Sequence, residues 1–161
     1  MNFCNNKQIA IGLLALGVGV LVYLVDRPAQ QVYFISNDIS LFQSGWLMFG
    51  ALGQSLPSFI HVFSFSILTA GIMNCQSSLC SLVICLAWAM TNATFEIGQH
   101  ADMALMLVNA IPAWLDGLPV LEHSRSFFVY GTFDVFDLLL GVAGASIAYG
   151  LITKTMRRVY E

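Results

Sequence analysis

GTFDVFDLLLGVAGASIAYGLI, residues 131–152, is the stretch whose reading decides the fold. It sets two carboxylates, Asp134 and Asp137, three residues apart at the mouth of an unbroken apolar run. On a helix that spacing puts both acids on one face. The run 135–152 is long enough to cross a bilayer, and ionisable groups at membrane depth are costly to hold there. Two readings of the acids stand side by side. They are a working pair at the membrane boundary, or they are a solvated helix start in the headgroup layer, where acids also suit the helix dipole. The second reading fits Asp134 better than Asp137, which lies one turn deeper.

The rest of the chain agrees with a membrane setting. Of its 161 residues 58% are hydrophobic and only 9% charged, and the mean hydropathy is +0.78. A soluble domain carries about 25% charged residues. The composition therefore implies one integral membrane domain. A net charge of −3, with no basic stripe and no glycine loop to cradle a phosphate, points away from a nucleic-acid partner.

Four apolar runs read as membrane spans, at about 9–25, 59–73, 79–97 and 135–152. The first could also be the core of a signal peptide. It is long for that, and Asp26-Arg27-Pro28 offers no small-residue cleavage pattern, so a retained anchor is expected. Residues 39–53 are apolar but hold Gln43 and several glycines, which suggests an interfacial or re-entrant segment. Leu56-Pro57-Ser58 is expected to open the second helix, because a first-turn proline loses no hydrogen bond. His61 then falls in that first turn. A polar hinge covers 74–78. Residues 103–115 are expected to lie along the membrane face, and Asp116-Gly117-Leu118-Pro119 is a turn signal. Glu122, His123 and Arg125 form a polar patch before the last span. Within that span Gly141, Gly144, Ala145, Ala148 and Gly150 have the small-residue spacing that lets helices approach closely. The expected fold class is an all-α polytopic membrane bundle, four transmembrane helices plus one or two interfacial or re-entrant segments, forming a single domain over 1–161.

Four spans put both termini on one side. Lys7, Lys154, Arg157 and Arg158, four of the six cations, share that side, while Arg27 and Arg125 lie on the other. Cytoplasmic flanks carry the excess of Lys and Arg, so both termini are expected in the cytoplasm. His61, Glu96, Asp134 and Asp137 then gather toward the outer face. Cys4, Cys75 and Cys80 fall at inner span ends and Cys85 lies inside the third span, which leaves no outer pair for a disulfide. These cysteines read as small apolar filler.

Glu96, Gln99 and His100 stand at i, i+3 and i+4, on one helical face. With Asp134, Asp137 and His61 they bring carboxylates, imidazoles and an amide to one depth from three helices. Carboxylates this close in a low dielectric need a shared proton or a shared cation. Arg125 is the nearest cation by sequence, and a divalent metal held by Asp, Glu and His is another solution. General acid–base chemistry is open to the same groups. Glu96, Asp134, Asp137 and His61 are thus the candidate working residues, and Gln99, His100 and Arg125 the candidate ligand-binding ones. The alternative is a polar network that only glues helices together, each bond worth about 0.6–2 kcal/mol.

His61 opening a span, Glu96-Ile97-Gly98-Gln99 ending the next, and the Gly131 to Asp137 stretch opening the last together resemble the VanZ-like family of small bacterial membrane proteins. That family's pattern is a glutamate and a glutamine three apart, then Gly-Arg, an aspartate, a second aspartate three on, an asparagine and a glycine. The resemblance covers about residues 57–149. Thr132 stands where the family has arginine and Gly141 where it often has asparagine, so the arginine is either missing here or replaced by Arg125. The resemblance implies a bacterial inner-membrane protein of the glycopeptide-resistance type. Its expected partner is a membrane lipid or lipid-linked envelope precursor, bound or modified at the outer leaflet. A purely structural accessory protein is the second expectation. A proton-coupled transporter is the third, disfavoured because the inner half offers no polar relay.

Overall fold

The computed structural model describes residues 4–28, 40–42, 47–118, 121 and 124–156. Among them it is all-helical: α1 (Asn6–Asp26), α2 (Gly50–Ile72), α3 (Ser78–Gly98), α4 (Ala101–Ala110), a 3-10 turn (Ala113–Gly117), α5 (Ser124–Tyr130) and α6 (Val135–Thr155). Four helices are long and apolar enough to cross a membrane: α1, α3, α6 and the Ser55–Ile72 part of α2. At 1.5 Å per residue, 21 residues reach about 30 Å, the thickness of a bilayer's hydrocarbon core.

Each span starts on a recognisable signal. The Asn5 side chain caps α1 by accepting from the Gln8 amide (3.4 Å), Ser77 caps α3 through the Cys80 amide (3.1 Å), and Asp134 caps α6 through the Phe136 amide (2.8 Å). Each supplies an acceptor to an amide that the first turn leaves without one. α2 departs from expectation. It begins at Gly50, not near Pro57, which is buried in the helix interior. Proline there forfeits the bond to the Gly53 carbonyl, yet the helix runs through it. What holds the extra turns is a long-range contact. The Asp26 carboxylate, 6% exposed, accepts from the Met48 amide (2.7 Å) and the Phe49 amide (2.8 Å) and lies against Gly53. Two corrections follow. Residues 50–53 belong to α2 rather than to an interfacial segment; Gln43 and, of the rest of that segment, positions 39 and 44–46 lie outside the described residues. His61 sits in mid-helix, six residues or about 9 Å beyond Ser55, and not in a first turn.

α2 is the most buried span and the axis of the bundle; α1, α3 and α6 all pack on it. The chain runs up, down, up and down. The terminal end of the bundle joins the start of α1 to the ends of α2 and α6. The Asn5 amide donates to the Gly71 carbonyl (2.8 Å), its side-chain amide to the Thr155 carbonyl (3.0 Å), and the Gln8 amide group to Thr155 Oγ1 (2.9 Å). The shared core contains Val62, Ile67, Ala70, Ile84, Ala145, Ala148 and Ile152. Leu14, Val83, Leu86, Met90, Leu139 and Val142 face outward, as lipid-facing residues do. Hydroxyls on that outer face are satisfied within their own helix: Thr91 donates to the Ala87 carbonyl (2.9 Å), Thr94 to Met90 (2.8 Å) and Ser146 to Val142 (2.8 Å). No water is needed to satisfy them, which suits the hydrocarbon layer.

The 74–78 hinge is as expected: α2 ends in a Schellman turn, with Asn74 at φ 48° and the Cys75 amide on the Ala70 carbonyl (3.0 Å). The cysteines are not as expected. Cys75 and Cys80 are joined as a disulfide, Cα–Cα 6.2 Å, while Cys4 and Cys85 are free. Spacing alone does not show the pair, because the hinge folds Cys75 back over the first turn of α3.

Past α3, the expected surface segment is α4 plus the 3-10 turn, with Leu105, Met106 and Trp114 exposed. α5, which nothing in the sequence announced, packs on α3 through Phe95, Phe127 and Phe128. Small-residue packing is confirmed at Gly144, where an added Cβ would lie 2.6 Å from the Phe59 carbonyl oxygen, and corrected at Gly150, which has open space around it. Gly144→Ala must push α6 off α2 and is expected to cost about 1–3 kcal/mol. Gly150→Ala should leave stability unchanged or raise it by up to about 1 kcal/mol. Detergent-denaturation midpoints of the two variants check the contrast.

Candidate functional site

The far end of the bundle, opposite the termini, collects the acids, and the first link is made by the backbone. The Asp134 amide donates to Glu96 Oε1 (2.8 Å), tying the last turn of α3 to the start of α6. Glu96 is 6% exposed, so this bond is shielded. Asp134's own carboxylate turns to the Phe136 amide as the α6 cap. Asp137, one turn on, is half-buried and faces the Ser55 hydroxyl on α2. Its Oδ1 is buried without a hydrogen-bond partner.

α1 completes the set. Arg27 lies within electrostatic reach of both Glu96 and Asp137, and so does the Tyr23 phenol. α1 stops where it does because Arg27 precedes Pro28, which disfavours helical backbone at the residue before it; Arg27 is extended at φ −123°, ψ 134°. Asp26 anchors the same corner through its two backbone bonds. All four spans therefore contribute: Tyr23 and Arg27 from α1 and its end, Ser55 from α2, Glu96 from α3, and Asp134 with Asp137 from α6.

Of the residues singled out in the sequence, Glu96, Asp134 and Asp137 are brought together. Gln99 joins their edge. It ends α3, and its side chain lies beneath Gly131, where a Cβ would meet Gln99 Cδ at 2.5 Å. A residue larger than glycine at 131 would have to displace the Gln99 side chain. His61 is not with the carboxylates. Its ring stacks on Tyr23 (5.4 Å) and lies beside Phe65 (5.9 Å), which in turn stacks on Trp88 (4.7 Å). Tyr23 is the link between this aromatic row and the acids. His100 is exposed at the start of α4, edge-on to Phe133 (5.6 Å) and 3.9 Å from Asp102. Arg125 donates to the Ile111 carbonyl (2.6 Å) and staples α5 to the end of α4. Among the described residues the cation beside Glu96 and Asp137 is Arg27, and the bond from Arg125 to the Ile111 carbonyl clamps α5 to the end of α4. Nearness in sequence had favoured Arg125. The signal for Arg27 was its place as the other cation on the far side.

Among the described residues no group of three or more His, Cys, Asp or Glu is arranged to hold a metal ion. The groups gathered here are a guanidinium, a phenol, a serine hydroxyl and three acids, with one carboxylate oxygen left to accept from a donor. Fold and site define a class, a four-span helical membrane protein with an acidic cluster assembled by all four spans at one end. No family model, curated protein or solved structure matches the chain.

Asp26 is the site's structural hinge pin. Asp26→Asn presents an amide donor to one of two backbone N–H groups and is expected to destabilise by about 1.5–3 kcal/mol. Thermal unfolding in detergent checks this; an unchanged midpoint would mean that the 47–53 corner holds itself.

Proposed function

We propose that the chain is a VanZ-like bacterial inner-membrane protein, with both termini cytoplasmic, that binds the polar head of an envelope lipid or lipid-linked glycan at the far-end cluster. The observation that carries this reading is Asp137 Oδ1, a buried acceptor without a partner beside Arg27 and Ser55. A hydroxylated or ammonium-bearing head supplies the donor it lacks, and the apolar tail stays in the surrounding leaflet. Lys7 and Lys154 at the terminal end support the orientation, together with Arg157 and Arg158 in sequence.

The departures from the family pattern have substitutes nearby. Arg27 offers a guanidinium to the acids in place of the one absent at Thr132. The Asn92 amide reaches over Gly141, 2.9 Å from where a side chain there would begin. A second reading has its own support: the Glu96 bond to the Asp134 amide and the Asp134 cap are both helix-fixing contacts. It makes the cluster a packing network and the protein a non-enzymatic accessory.

Charge-neutral variants separate the two. On the binding reading Asp137→Asn and Glu96→Gln weaken capture of the co-purifying amphiphile by about 10–100-fold, the worth of one charge-assisted hydrogen bond, while the protein still accumulates in the membrane. Native mass spectrometry of the protein in lipid discs reads this. Asp102→Asn, on exposed α4, serves as the silent control, and Arg27→Gln should hurt more than Arg125→Gln. Unaltered capture in both acid variants leaves the packing network standing. Orientation is read separately: an impermeant maleimide should reach Asp102→Cys, a fully exposed position on α4, in intact cells and miss Cys4.

A further inference from the structure

We infer that Cys75 and Cys80 form a reversible dithiol–disulfide pair at the α2–α3 hinge, oxidised by exchange with a low-molecular-weight disulfide and reduced again by the corresponding thiol. The inference rests on the orientation proposed above for its setting, and on hinge geometry for its chemistry.

The hinge builds the pair. The Schellman turn at Asn74 swings Cys75 back into the core beside Ala70. The Ser77 cap sets the first turn of α3 so that Cys80 comes to meet it, and the sulfurs bond with their Cα atoms 6.2 Å apart, inside the span that disulfides use. The same geometry accommodates the reduced form. Cys75 Sγ lies 3.5 Å from the Ser77 carbonyl oxygen and 3.5 Å from Ser81 Oγ, so a free Cys75 thiol has acceptors in place. Ser81 Oγ in turn lies 3.9 Å from Met156 Sδ, at the end of α6. The hinge thus touches the end of α6, and neither redox state leaves a buried polar sulfur stranded.

Position argues for reversibility. This end carries Lys7 and Lys154. On the cytoplasmic side thiols are kept reduced, and disulfides that do form there are mostly transient. Cys75 is 5% exposed and Cys80 half-buried, so Cys80 is the entry point. Its thiolate attacks one sulfur of the small disulfide and expels a thiolate, which takes up the proton that Cys80 lost. The Cys75 thiolate then attacks Cys80 Sγ in the mixed disulfide, closes the hinge bond and releases the second small thiol, which takes the Cys75 proton. Two thiols in the protein are oxidised and one small disulfide is reduced to two thiols. The reverse exchange reopens the hinge.

The test uses the full-length protein. Growing cells are acid-quenched, free thiols are blocked with N-ethylmaleimide, and disulfides are then reduced and tagged with a polyethylene-glycol maleimide. The expected result is no tag in untreated cells, two tags after a brief pulse of a membrane-permeable aromatic disulfide, and loss of both tags after recovery. Cys80→Ser should abolish both tags, whereas Cys75→Ser should leave one, the mixed disulfide at Cys80 that no second thiol resolves. Two tags before any oxidant, resistant to dithiothreitol on the folded protein, would overturn the proposal in favour of a permanent bond. No tags after the pulse would also overturn it. Purified protein equilibrated between reduced and oxidised glutathione isolates the chemistry from the orientation. Interconversion there supports the pair even if Cys4 labelling inverts the topology, and a bond that ignores reduced glutathione refutes it whichever way the protein faces.

Discussion

The far end depends on one constraint: helix starts near or inside a bilayer expose amide groups that need acceptors, and there is little water to supply them. The chain answers with carboxylates. Glu96 takes the Asp134 amide and Asp134 takes that of Phe136, while Asp26 takes those of Met48 and Phe49. Three acids are thereby committed to the entries of α2 and α6, and the helix dipole favours negative charge at both places. The far end is acidic first because it is where two helices begin.

The opposite end solves the same problem with neutral groups. Asn5, Ser77 and Thr155 bond to backbone or to one another, and Gln8 is fully buried among them. Between the ends, hydroxyls turn back on their own helices, and the interior is set by close backbone approach. The tightest such approach is that of Gly144 to the Phe59 carbonyl, which seats α6 on α2. α2 can serve as the axis because its neighbours present small residues to it: Gly12 to Leu68, Gly19 to Ile60, Gly144 to Phe59. The carboxylates of the described residues are thus gathered at one rim, while the interior, which also holds a bond from Trp88 Nε1 to Thr69 Oγ1 (3.0 Å), is held mainly by shape.

The four spans and the meeting of Glu96, Asp134 and Asp137 were legible in the sequence, because both follow from local properties: length of apolar run, helical spacing and the alternation of direction. What was not legible was long-range. Pro57 looked like a helix start because proline suits a first turn; only the contact from Asp26, on another helix, lets α2 begin seven residues earlier. That shift carried His61 away from the acids and into a stack with Tyr23 and Phe65. Arg125 looked like the charge partner because it is near in sequence, while Arg27 comes from the far end of α1. Gly150 shared the small-residue spacing of Gly144 but points away from every neighbour. Spacing marks which residues share a face and says nothing of what that face meets. The Cys75–Cys80 bond was missed for a related reason: it depends on a left-handed residue, Asn74, that reverses the chain over its own next turn.

The commitment of Glu96, Asp134 and Asp26 to amides isolates Asp137. A network meant only to hold helices together gains most when every member is satisfied, and a half-satisfied one is worse than an apolar contact. Asp137 has Ser55 facing it and Arg27 within reach, yet Oδ1 is buried with no partner. Asparagine or alanine at 137 would have removed a buried charge without loosening the α6 cap, which Asp134 already provides. The one acid that the architecture does not need is the one with an acceptor still open, beside a guanidinium and a phenol, at the rim where α1, α2, α3 and α6 converge. That combination is the ground for the proposal that Asp137 accepts from the donor-rich head of an amphiphile and does not serve helix packing alone.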